Sequence, residues 1–206
     1  MRFLLSLLTS GFLIAPAFAQ QLSPEQLVQK ITDDVLAAVK TDKQLAAGDK
    51  QKAVQLAQEK VLPYVDFEYA TRLAVGRAWR QASPEQKKEL VEQFRNMLVR
   101  TYSNSISAYE GQTLKVLPSR GNDKSADEAT VRTQFVRAGG QPLPIDFSMH
   151  KAGGDWKVYD ITVEGVSLVL TYRSEFDAIV KQQGIDGLIK ALAQKNIPAA
   201  GVGATK

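Results

Sequence analysis

The reading of the fold turns on Val158-Tyr-Asp-Ile-Thr-Val-Glu-Gly-Val-Ser-Leu-Val-Leu-Thr-Tyr-Arg-Ser-Glu-Phe176. Its first half is rich in β-branched and aromatic residues, the composition of a strand. Gly165 breaks that strand, an apolar run follows, and residues 172–181 have helical spacing. The segment therefore predicts a passage from sheet to helix around a bend of apolar side chains. No nucleophile is presented there, because Gly165-Val166-Ser167-Leu168-Val169 holds only the first glycine of a G-x-S-x-G elbow. What the bend offers is a greasy wall.

Upstream of it, apolar residues alternate with period two over 113–117, 128–137, 143–150 and 155–163, which predicts four strands. The links Gly121-Asn122-Asp123, Gly139-Gly140 and Gly153-Gly154 are turn-rich. They are too short for crossover helices, so the sheet should be antiparallel. One face then carries Val131, Phe135, Ile145, Phe147, Met149, Trp156 and Val158. Asp160 falls in the phase of Trp156 and Val158, and an inward carboxylate needs a partner, for which Arg173 is the candidate.

Before the sheet the period is helical. Ser23-Pro24-Glu25-Gln26 is a capping box that opens a helix to about residue 40. A second helix is expected over 50–62, with Val54, Ala57 and Val61 on its apolar side, and Pro63 ends it. Asp66 caps a third that runs to Gly76. Ser83-Pro84-Glu85-Gln86 repeats the capping box and opens a long helix over 84–109. Its stripe is Leu90, Phe94, Met97, Leu98, Thr101, Tyr102 and Ile106, which suits either core packing or a binding wall. Past the bend, Gly184 caps one helix and 185–195 forms the last. Helices, a four-strand meander and helices again make an α+β fold, with helices over one face of a curved sheet.

The ends carry other signals. Met1-Arg2, an apolar run from Phe3 to Ile14 and Ala17-Phe18-Ala19 form a cleavable signal peptide over 1–19. Residues 20–195 are expected to form one domain and 196–206 a flexible tail. There are no cysteines, which excludes a disulfide framework, a Cys-based zinc site and a lipid-anchored cysteine. The 26 Lys and Arg against 22 Asp and Glu are interspersed, without the clustered basic patch that a nucleic-acid surface needs. The expected product is soluble and exported, and binds no nucleic acid.

Two blocks of residues resemble one family. The first is Leu62-Pro63-Tyr64-Val65-Asp66-Phe67, followed by Gly76, Trp79, Gln86, Phe94, Leu98 and Tyr102. The second is Trp156, Tyr159, Asp160, Glu164-Gly165-Val166-Ser167, Tyr172-Arg173 and Phe176, closed by Gly184-Ile185-Asp186-Gly187-Leu188. In order and spacing the chain resembles the MlaC, or toluene-tolerance, family of periplasmic phospholipid-binding proteins. The likeness is strongest over 61–109 and 156–190; the first two helices and 119–128 carry no family motif. The resemblance implies an NTF2-like sheet packed against a helical layer, with acyl chains between them and the headgroup at the mouth. It also implies a monomeric shuttle that carries phospholipid between an outer-membrane lipoprotein–porin complex and an inner-membrane ABC transporter, of the MlaA and MlaFEDB type.

Energetics agree with enclosure. At about 0.8 kcal/mol per methylene, about thirty methylenes represent roughly 24 kcal/mol of apolar transfer, which an open groove would not recover. The acyl pocket is accordingly expected at Leu73, Phe94, Leu98, Tyr102 and Tyr172 on the helices and at Val131, Phe135, Ile145, Phe147, Met149, Val158 and Val163 on the sheet. Val166 and Leu168 complete it at the bend. Arg72, Arg80 and Arg173 are the headgroup candidates, with solvation or pairing to nearby acids as the alternative.

Two other functions compete. An enzyme would have to use the sole histidine, His150, which has neither a second His or Cys for a metal nor a serine in an elbow. No catalytic residue, metal or cofactor is therefore expected, phospholipid being cargo. A periplasmic chaperone or adaptor is the other rival, and bound lipid separates it from a carrier.

Overall fold

The computed structural model describes residues 21–103, 112–118, 125–137 and 139–196. The expected signal peptide, the turn at 121–123, the continuation of the long helix over 104–109 and the tail from 197 onward lie outside these residues.

Both capping boxes form. Ser23 and Ser83 accept from the backbone N–H of Gln26 and Gln86 at 3.2 and 3.1 Å, and each glutamine accepts the cap N–H in return. They open α1 (Pro24–Thr41) and, further on, the long helix. Asp42 caps a one-turn α2 (Lys43–Ala46), which the sequence pattern did not separate from a loop. Next come α3 (Lys50–Lys60), a 3-10 turn at Leu62–Tyr64, and α4 (Phe67–Val75), whose cap is Asp66. Gly76, with φ of 65°, turns the chain out of α4 into a second 3-10 turn before α5 (Pro84–Tyr102).

The sheet has five strands, not four: β1 (Thr113–Val116), β2 (Glu128–Val136), β3 (Leu143–Ala152), β4 (Asp155–Val163) and β5 (Val166–Ser167). They form an antiparallel meander in chain order. The fifth strand arises because Glu164 and Gly165 both take positive φ, 51° and 83°. That pair makes a tight hairpin turn, so the chain folds back on β4 for two residues before turning helical. α6 (Leu168–Thr171) and α7 (Arg173–Asn196) follow, the latter broken at Gly184 with φ of 73°. Asn196, which the sequence reading gave to the tail, closes α7.

Register places Val131 opposite Phe147, Phe135 opposite Leu143, and Met149 opposite Val158, so these side chains share one face. A β-bulge between Ser148 and Met149 then shifts β4, pairing Asp160 with Ser148. Asp160 therefore leaves the phase of Val158, contrary to a strict period of two.

Two buried clusters matter for the site. Leu27 and Val28 of α1 pack on Val131, Met149 and Val158. A helical core joins α4, α5, α6 and α7 through Leu90, Phe94, Met97, Val169, Phe176, Leu188 and Leu192.

Candidate functional site

The site begins at the outer edge of β4. Val65 bridges to Val158 in parallel, and the N–H of Asp66 donates to the Val158 carbonyl at 2.9 Å. Further along, β5 pairs with Thr162 and Val163. Between these two attachments, among the described residues, no strand lies beside the edge at residues 159–161, and a cavity of about 280 Å³ lies there. Its walls are Ala57 of α3, Val61, Leu62 and Val65 of the connection, and Phe67 and Ala70 of α4. Leu98, Val99 and Tyr102 of α5, Val158 and Ile161 of β4, and Leu168 and Val169 of α6 complete the apolar lining.

An unpaired strand edge beside an apolar space needs its polar groups satisfied. Asp160 does this. Its Oδ1 accepts the N–H of Ile161 at 2.8 Å and the N–H of Val169 at 3.1 Å, and the Ser167 hydroxyl donates to its Oδ2. Asp160 as a whole is 8% exposed. Its partners are one donor on β4 and two at the start of α6, with Arg173 not among them, so it anchors α6 to β4 beside the cavity.

Tyr102 closes one side. Its hydroxyl is 3.5 Å from that of Tyr172, whose ring sits edge-on to Phe94 at 5.4 Å. Burial, with the Tyr102 hydroxyl next in effect, pushes the Tyr172 phenol up, so it stays protonated.

Leu98, Tyr102, Val158 and Leu168 are the expected pocket residues that meet at this cavity. Phe94 is wholly buried in the helical core, with Leu73 and Tyr172 packed around it. Val131, Phe147 and Met149 lie in the cluster beneath α1, while Phe135, Ile145 and Val163 are half-buried along the sheet. Val166 is 58% exposed on β5, two residues from Leu168. The α3–α4 wall was absent from the expected set. Its signals were present, in the apolar side of α3 and in the block 62–67, but nothing local shows which face such a stripe meets.

None of the three expected headgroup arginines lines the cavity. Arg72 lies over the Tyr69 ring at 4.3 Å, in a small pocket that also holds Asp66 and Glu68. Arg173 lies against Gly76, where an added Cβ would come within 3.2 Å of its guanidinium. Arg80 is exposed at the end of the second 3-10 turn.

His150 Nε2 is 2.9 Å from Asp66 Oδ2, while Asp66 Oδ1 accepts the N–H of Tyr69. The imidazole is packed by Tyr69 and Tyr159, with centroids 4.4 and 5.3 Å away. This arrangement ties β3 to the start of α4. Among the described residues no group of three or more His, Asp or Glu side chains is placed to hold a metal ion, and no helix is long and apolar enough to cross a membrane.

The comparisons with known proteins converge. A solved structure, the phospholipid-binding protein from Ralstonia solanacearum in complex with a phospholipid, superposes with a TM-score of 0.76. The two are 34% identical, over 84% of this chain and 96% of that one. The intermembrane phospholipid transport system binding protein MlaC of Haemophilus influenzae is 25% identical over 93% of this chain and 90% of its own. The toluene tolerance protein ttg2D of Pseudomonas putida is 24% identical over 89% and 87%. The family described as MlaC protein matches residues 29–194, and this chain therefore belongs to the MlaC family.

Proposed function

We propose that this protein is a phospholipid carrier of the intermembrane transport type, holding acyl chains in the cavity beside β4. The observation that carries the proposal is the continuous apolar lining along an unpaired strand edge, in a fold shared with a protein solved in complex with a phospholipid. Leu98, Tyr102, Val158 and Leu168 are the pocket residues common to the sequence reading and the cavity, and Val166 is exposed on β5, two residues before Leu168. The remaining members of the expected set would meet acyl chain only if sheet and helices part further.

The same reading makes residues 20–195 one NTF2-like domain acting as a monomer in the periplasm. It would receive and deliver lipid at an outer-membrane lipoprotein–porin complex and an inner-membrane ABC transporter. It assigns no catalytic residue, since His150 is held by Asp66 and enclosed by two tyrosines.

The test is the cargo. Protein purified without detergent, extracted and weighed by denaturing mass spectrometry, is expected to release intact diacyl phospholipid in near-stoichiometric amount. Lipid-free protein after gentle purification would favour a chaperone or adaptor, and released fatty acid with lysolipid would favour an enzyme.

A further inference from the structure

Beside the apolar cavity runs a second depression, a groove of about 480 Å³ between α3 and α5. The two share Leu62 and Val99 as a common wall, so they adjoin. The groove is otherwise different in chemistry: Arg95 and Arg100 line it together with the amides of Gln58 and Asn96. Helical geometry explains the division. At about 100° per residue, Arg95, Val99, Asn96 and Arg100 fan over about 140° of α5 on the groove side, while Tyr102 and Leu98 lie about 20° and 60° beyond Arg95 on the other side, toward the cavity.

Among the described residues neither Arg95 nor Arg100 forms an ion pair, and no carboxylate lines the groove. Arg100 donates one N–H from Nη1 to the Asn196 carbonyl at 2.6 Å, which anchors the guanidinium and leaves its other donors for a ligand. The pocket at Arg72 contrasts with this, since Asp66 and Glu68 offset its single cation and disfavour an anion.

We propose that this groove holds the phosphate of the lipid whose chains fill the cavity, with Arg95 and Arg100 as its cations. The inference rests on the carrier reading. An amphiphile with an anionic head needs apolar volume continuous with cationic donors, and the Leu62–Val99 wall is where the two adjoin. Guanidinium donors match a phosphate diester and tolerate variation beyond it, so the subsite recognises the phosphate and not the alcohol attached to it.

The experiment compares fluorescent-chain phosphatidylglycerol with diacylglycerol of identical chains, in wild type and in R95Q/R100Q. The wild type is expected to prefer the phospholipid. The double variant should bind it about tenfold more weakly, near the diacylglycerol value, with diacylglycerol binding unchanged. R95Q alone leaves the anchor at Asn196 in place and should show part of the loss, which guards against a folding effect of the second substitution. R72Q/R173Q should change neither lipid. Retained preference in R95Q/R100Q, or an equal fall for both lipids, would overturn the proposal. Binding of glycerol 3-phosphate alone as tight as phosphatidylglycerol would also overturn it, making the groove an anion site independent of the chains. A wild type that takes up neither lipid overturns the carrier reading, and this subsite with it.

Discussion

The two halves of α5 meet different fates. In the first, Leu90, Phe94 and Met97 are at most 4% exposed and locked among Phe176, Leu188 and Leu192. In the second, Leu98, Val99 and Tyr102 face a cavity. The residue types hardly differ. What differs is the opposing surface: large side chains of α7 fill the space beside the first half, whereas the second shares a cavity with residues of β4, α3, α4 and α6 that line the space without filling it. A helix stripe becomes core or binding wall according to what closes on it.

Ranked by their effect on folding, five substitutions would break or sharpen this contrast. Phe94→Ala should have the largest effect, lowering stability by about 3–5 kcal/mol in urea unfolding, because a closed packing site cannot fill the void. Leu98→Ala, one turn on and beside existing space, should lose less than about 2 kcal/mol. Equal losses at the two positions would mean that α5 is core throughout.

Asp160→Ala should come second, at about 1–3 kcal/mol, since the N–H groups of Ile161 and Val169 lose their acceptor beside an apolar space. Hydrogen exchange at Val169 should rise with it, and an unchanged rate would detach α6 from the carboxylate.

His150→Ala should remove about 1 kcal/mol from the link to Asp66 and leave lipid retention and transfer intact. A folded His150→Ala protein that no longer transfers lipid would bring back a catalytic or gating role.

Val166→Glu should disturb folding least, within about 0.5 kcal/mol, because the side chain is already mostly in solvent. It is nevertheless expected to yield a lipid-free protein, since a carboxylate at the rim must lose water where methylenes pass. Retained lipid would move the entrance away from β5, and an unfolded protein would make Val166 structural.

Most of the local architecture was legible without coordinates, for reasons that are themselves local. A capping box is complete within four residues, and alternation over nine is enough to mark a strand, so α1, α5 and β2 through β4 follow from sequence pattern. The hairpin at Glu164-Gly165 was harder, because a non-glycine residue at positive φ gives no signal in composition. The two-residue β5 that it creates is too short to carry a period.

What sequence by itself determined, then, is the element order, the apolar stripes and the likeness to one family, all properties of neighbours along the chain. Tertiary structure decided which stripes meet. The bulge at Ser148 moved Asp160 out of the phase of Val158, and among the described residues no strand covers the outer edge of β4 between Val158 and Thr162. The α3–α4 connection became a cavity wall, Arg95 and Arg100 came to line the adjoining groove, and Arg72, Arg80 and Arg173 lie outside both linings. Each of these depends on contacts between residues tens of positions apart. Such contacts are set by how volumes fill and by where backbone groups find partners, which periodicity along a single segment does not encode.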